Sequence, residues 1–154
     1  MPDVVDVIMA DHRLIDRLIA DVPEHPVRER AISELADVIS AHCRAEEWAV
    51  YPRLGRRVGT SESVEQALAR HRETADLVDE LLGCDPTATD VAEVLEDLRD
   101  NMAMHAESEE ATLLPEINSR IESAERKELA QAFLAARARH LDLLTRPAFF
   151  PRRA

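Results

Sequence analysis

Two copies of one phrase constrain what this chain can fold into. One runs His42-Cys43-Arg44-Ala45-Glu46-Glu47 and ends at Pro52; the other runs His105-Ala106-Glu107-Ser108-Glu109-Glu110 and ends at Pro115. Both read H-x-x-x-E-E-x-x-x-x-P, and each has a partner histidine upstream, His12 by 30 residues and His71 by 34. Residues four apart on an α-helix differ by about 40° around the axis and lie one turn apart along it. Each H-x-x-x-E pair therefore faces one way if its segment is helical. The pattern supplies four imidazoles and two carboxylates in a duplicated arrangement, the donor set of a two-metal centre.

The rest of the chain supports helices throughout. Only three glycines, 3% aromatic residues and 45% hydrophobic residues against 32% charged mark a globular, helix-rich composition. Hydrophobic periodicity divides the chain into five helices. The first follows Asp3 as N-cap and runs to about Ala20. The second starts near Pro26 or Val27 and reaches Pro52 or just beyond, ending before Gly55 and Gly59. The third rises from the 60–63 cluster, where Ser63 and Gln66 have capping-box spacing, and stops at Gly83. The fourth covers roughly 88–118 and the last about 123–144, before a tail from Pro147 to Pro151. Short loops make neighbours antiparallel, which predicts an all-α, up-down-up-down four-helix bundle over about 3–118. The extra C-terminal helix then packs outside it or between chains. No linker divides the chain, so one domain spanning 1–154 is expected.

Every bundle helix carries a histidine on its apolar stripe. His12 shares a stripe with Val5, Ile8, Ile15 and Ile19, and His71 with Val64, Leu68, Ala75, Val78 and Leu82. His42 and Glu46 fall with Leu35, Ile39 and Ala49; His105 and Glu109 fall with Val91, Val94, Leu98, Met102 and Leu113. A single histidine on such a stripe is commonly a hydrogen-bonded core residue. A buried carboxylate is different, because an ion in the interior costs several kcal/mol unless paired or metal-bound. Four inward histidines with two inward glutamates, matched between halves, are explained together by a pair of dications. Imidazole and carboxylate donors without thiolate suit iron or manganese.

The H…HxxxE…H…HxxxE order resembles the bacterial hemerythrin-like proteins, the HHE cation-binding family, over approximately residues 3–118. The resemblance implies a non-haem di-iron centre, with His12 and His42 on one iron and His71 and His105 on the other. It implies that Glu46 and Glu109 bridge the two irons, together with an oxo or hydroxo group. Oxygen-carrying hemerythrins have a further histidine one turn after the third-helix ligand, where this chain has Ala75. They also end in a longer H-x-x-x-x-D spacing, where this chain has Glu109 at i+4. Reversible oxygen carriage is therefore not the expectation. Some bacterial members consume peroxide, which makes a redox enzyme acting on hydrogen peroxide and nitric oxide the leading reading. An O2-, NO- or iron-binding sensor is the alternative. Ferritin-like sites use E-x-x-H on helices, and that spacing does not occur here.

Similar hemerythrin-like chains often carry an aromatic before this proline, which makes Tyr51 a catalytic candidate as iron ligand or proton donor. Ideal helical geometry opposes it, since nine residues after His42 is about 180° around the axis. Pro52 removes a backbone donor and disfavours α geometry at Tyr51, so a local bulge would turn the phenol inward. Glu47 and Glu110, about 140° from the histidines, are expected in solvent with arginine partners. Trp48 is expected between helices, Cys43 as a small packing residue, His25 exposed in its turn, and His140 in packing or an interface.

A formal charge of −12 opposes nonspecific attraction to nucleic acid or anionic lipid. No apolar run approaches a membrane span, and the N-terminus has no basic region before an apolar one. Two cysteines make no disulfide framework. The expected setting is the cytoplasm, and the expected partners are small molecules.

Overall fold

The computed structural model describes residues 1–59 and 61–145, and the expected 147–151 tail lies outside them. All of its regular structure is helical. Helix α1 (Val4–Asp21) starts where the Asp3 carboxylate accepts from the Val5 N–H. A short 3₁₀ turn, Val22–Glu24, leads into α2 (Arg28–Ala45). One π-helical turn, Glu46–Val50, joins α2 to α3 (Tyr51–Val58) without a break in the rod. Helix α4 (Glu62–Gly83) is capped by the Ser61 hydroxyl, which accepts from Val64 N–H, so the cap is Ser61 and not Ser63. The second motif repeats the first: α5 (Asp90–Ser108), a π turn at Glu109–Leu113, then α6 (Leu114–Arg120). Helix α7 is Ser123–Thr145.

The four rods α1, α2–α3, α4 and α5–α6 form the expected bundle. Gly55 lies inside α3, and the rod stops at Gly59, whose φ of 76° and ψ of −142° form a backbone conformation that glycine adopts without strain. Helix α7 does not sit outside the core. It packs along α2 and touches α1, with Leu129, Ala130 and Phe133 fully buried. On α4 the inward stripe is Ala67, His71, Thr74, Val78 and Leu81, while Ala75 and Leu82 face solvent. The two stripes share His71 and Val78, and a rotation of about 60° around the axis separates their centres.

Two apolar clusters fill the interior. One gathers Ile15, Leu35, Ile39, Val78, Leu98 and Met102; the other gathers Ile8, Ala45, Leu54, Ala67, Leu113 and Phe133. Along every bundle rod, the site histidine falls between members of the two clusters. The polar site is thus clamped midway along the bundle with packed hydrocarbon above and below it. Among the described residues, no helix is long and apolar enough to cross a membrane.

Candidate metal centre

The structure brings the sequence-predicted donors together. Ligand-capable atoms of His12, His42, Glu46, His105 and Glu109 all lie within 4.8 Å of one another, and all five residues are buried. The His42 and His105 Nε2 atoms face each other at 3.4 Å. Glu109 Oε2 lies 3.4 Å from both His12 Nε2 and His105 Nε2. Glu46 Oε2 lies 3.5 Å from His42 Nε2 and 3.7 Å from His105 Nε2. His71 stands at the edge of this group, with Nε2 3.1 Å from Glu46 Oε2.

These donors fit a cation. His12 Nε2, Glu46 Oε1, Glu109 Oε2 and His105 Nδ1 are buried without hydrogen-bond partners among the described residues. The first three belong to the cluster's inward donors. Orphaned polar atoms in an interior are costly and rare, and positive ions coordinated by them would remove the cost. The set contains imidazole and carboxylate and no thiolate, since Cys43 stands beside His71 and not among the five donors.

Tyr51 points inward. The backbone N–H of Tyr51 bonds Glu46 O, five residues back, so the π turn inserts one residue into the helical count. That rotates Tyr51 by about 100° relative to an uninterrupted helix, from the far side of the rod toward the His42 face. Its phenol donates to Glu109 Oε1 at 2.7 Å, and lies 3.0 Å from Glu46 Oε2 and 3.2 Å from His71 Nε2. The second copy has the same turn, with Leu114 N–H bonded to Glu109 O, but presents an apolar side chain there.

Glu47 has the expected arginine partner, Arg44 at 3.5 Å, but Glu47 and Glu110 also do what the sequence reading did not expect. They are part-exposed, and each binds the outer nitrogen of a site histidine from the opposite half of the chain. Glu47 Oε1 is 2.9 Å from His71 Nδ1, and Glu110 Oε1 is 3.1 Å from His12 Nδ1. A carboxylate there fixes the ring and its tautomer, leaving Nε2 as the donor. At about 140° from the histidine of its own helix, each glutamate reaches the neighbouring rod instead. His42 has a third partner, Asp11, whose Oδ2 lies 3.3 Å from Nδ1 and accepts from Arg137 Nε at 2.8 Å. Asp11 and Arg137 were missed by the motif search. The signal was available only in Asp11 standing next to His12 on a buried stripe.

Other expectations divide. Trp48 is 67% exposed and not packed between helices, since six residues after His42 lies about 120° from the His42 face. Cys43 is buried, as expected of a packing residue. His140 packs α7 on α2 through Ser40 Oγ at 2.9 Å. His25 is half-buried, its Nδ1 bonded within the local turn.

Electrostatics sorts the groups of the metal-free site. Burial holds the His105 imidazole down at about 3, against the pull of Glu109, and burial also lowers His42 despite Asp11. His71 is pushed up to about 10 against its burial, by neighbouring Cys43 and by its hydrogen bond to Glu47. His12 is raised, against burial, by Glu109 and Glu110. Burial and the Glu109 charge hold the Glu46 carboxyl well above the usual carboxylate range. Glu109 goes the other way despite burial, held down by the His105 and His12 imidazoles beside it and by the hydrogen bond from Tyr51. The Tyr51 phenol is kept neutral by burial and by the two nearby carboxylates.

Residues 3–117 match the family model of the hemerythrin HHE cation binding domain. The chain belongs to this family. A crystal structure of an HHE cation-binding domain-containing protein from Mycobacterium kansasii superimposes with a TM-score of 0.79. It is 24% identical, and the match covers 93% of this chain and 90% of that one, so the two share the fold. A protein of Nostoc sp. described as a DNA nickase is 23% identical over 140 residues, which take in 89% of this chain and 40% of that protein. The chain thus spans about two fifths of that relative's length. In this HHE domain the buried His/Glu cluster is the metal-binding candidate, and α7, beyond the matched residues, covers its α2 side.

Proposed function

We propose that this HHE protein is a cytoplasmic non-haem di-iron oxidoreductase that consumes hydrogen peroxide, and nitric oxide with it. In this reading His12 and His42 would hold one iron and His71 and His105 the other, with the Glu46 and Glu109 carboxylates shared between them. The observation that carries the reading is Tyr51: a neutral phenol buried against both carboxylates and His71. A pure metal store has no need of a proton donor at that point.

Bound iron supplies the electron exchange that O–O cleavage requires. The chain's own part is protonic and positional. Tyr51 Oη holds a proton at the centre, donated at rest to Glu109 Oε1 and available to an oxygen of a bound small molecule. Glu47 and Glu110 keep His71 and His12 with Nε2 turned inward. The apolar clusters on either side exclude bulk water from the centre. Two openings of about 270 and 300 Å³ reach the edges of the site, one lined by His71, Glu47 and Ala75, the other by His12, Glu110 and Arg99. Their size suits small molecules such as peroxide, NO or O2.

The test is peroxide turnover, with and without nitric oxide, on protein whose iron per chain has been quantified. Turnover proportional to two irons per chain, and lost in His105→Ala, supports the reading. An iron-loaded protein that leaves peroxide untouched turns the site into an O2-, NO- or iron-binding or sensing module. A protein that takes up no iron rejects both.

A further inference from the structure

The duplicated site is not symmetric beyond its ligands. Three of its four histidines have a carboxylate on the outer nitrogen. For His12 and His71 the partners are equivalent, Glu110 and Glu47, each supplied by the opposite half. His42 and His105 differ. His42 Nδ1 faces Asp11 Oδ2 at 3.3 Å, and Asp11 in turn accepts from Arg137 Nε at 2.8 Å. His105 Nδ1 is buried with no hydrogen-bond partner among the described residues. The sequence gives the reason: the residue before His12 is Asp11, whereas the residue before His71 is Arg70, which pairs with Glu73 at 3.4 Å.

Helix α7 is the second source of asymmetry, because it has no counterpart in the other half of the duplication. Phe133, Arg137 and His140 lie at i, i+4 and i+7, on one face of α7. The Phe133 ring meets the His42 ring edge-on at a centroid distance of 5.9 Å. Arg137 binds Asp11, and His140 Nε2 bonds Ser40 Oγ, two residues before His42, at 2.9 Å. Three successive contacts therefore fix the ring, its carboxylate and its backbone from one helix.

We propose that α7, acting through Arg137 and Asp11, makes the two metal positions unequal. The ion held by His12 and His42 binds more tightly and leaves later than the ion held by His71 and His105. This rests on the di-iron reading above. The physical cause is general: a carboxylate on the outer imidazole nitrogen fixes the ring before the metal arrives and strengthens the inner nitrogen as a donor. Removing such a partner typically lowers metal affinity by about 10–100-fold. The less tightly held ion is also the one beside Tyr51, so the exchangeable position and the proton donor coincide. Arg137 and Asp11 are positioning residues and touch no reactant.

The experiment follows iron leaving the protein. Full-length protein is loaded anaerobically with ferrous iron, then mixed with a chromophoric ferrous chelator. Two equal kinetic phases are expected in the wild type. In Asp11→Asn and Arg137→Leu the slow phase should accelerate about 10–100-fold while the fast phase stays put, and Arg137→Lys should recover most of the difference. Mössbauer spectra of iron-57 protein should show two inequivalent sites, with only one changed by Asp11→Asn. Metal-free thermal unfolding of each variant separates positioning from folding, because a merely structural role would speed both phases together. A single phase in the wild type, an unchanged slow phase in the variants, or equal acceleration of both phases overturns the proposal and leaves the di-iron reading standing. Fewer than two irons bound by the wild type overturns both.

Discussion

Replacing Glu46 by glutamine should have opposite effects on the metal-free and the iron-loaded protein. Glu46 is fully buried, and the Tyr51 hydroxyl lies 3.0 Å from its Oε2 and 2.7 Å from Glu109 Oε1. Those two distances cap the separation of the carboxylate oxygens at about 6 Å. Two full charges that close repel by about 3 kcal/mol at an effective dielectric of about 20. The metal-free protein avoids part of this by keeping the Glu46 carboxyl protonated above its usual range. Glutamine keeps the shape, and its oxygen can accept from the protonated His71 as Glu46 Oε2 does, but it carries no charge. Metal-free Glu46→Gln should therefore gain about 2 kcal/mol at neutral pH, a rise in Tm of about 4–8 °C for a chain of this size. The pH dependence follows from the direction of the shift. A carboxyl raised above its unfolded value of 4.5 contributes its full stability below that pH and loses it as pH climbs through the folded value. The gap between variant and wild type should thus be absent near pH 4 and open toward neutrality. With iron present the sign reverses, because an amide neither neutralises a dication nor bridges two, and iron per chain should fall. The assay is thermal unfolding across pH, with chelator and with iron. A metal-free variant that is less stable at neutral pH, or a gap that does not change with pH, would refute the account of the buried pair.

Tyr51→Phe should retain iron, alter the visible spectrum and lower peroxide turnover by about 10²-fold, in line with loss of a general acid; unchanged spectra and rates would remove Tyr51 from the mechanism. Phe133→Ala removes a fully buried ring that anchors α7 against His42, so denaturant titration should show a loss of about 3–5 kcal/mol. The glycines of α3 should separate by backbone conformation. Gly59→Ala, at φ 76°, should cost about 1 kcal/mol, whereas Gly55→Ala, inside the helix with nothing within 4 Å of a new Cβ, should gain about 0.5–1 kcal/mol.

The amino-acid sequence by itself determined the helices, their order and the inward direction of the six donors. Those properties are local: a 3.6-residue repeat tells which side of a rod a residue occupies, and His42 with Glu46 or His105 with Glu109 share a side at any bundle geometry. Phase within a rod was less secure. On α4 the true stripe runs through Thr74 and Leu81, because packing against α5 and α2 chose between two neighbouring faces of similar polarity. Pro52 signalled a bulge, but that it is a π turn at Glu46–Val50, sending Tyr51 in, depends on the surrounding helices. What only the tertiary structure decided is which atom meets which across rods. Glu47 binds His71, Glu110 binds His12, and Arg137 reaches Asp11 from 126 positions away. Helical periodicity carries the angle of a side chain about its own axis. It carries nothing about the rotation and translation of one helix against another, and those set the partners of each imidazole's outer nitrogen.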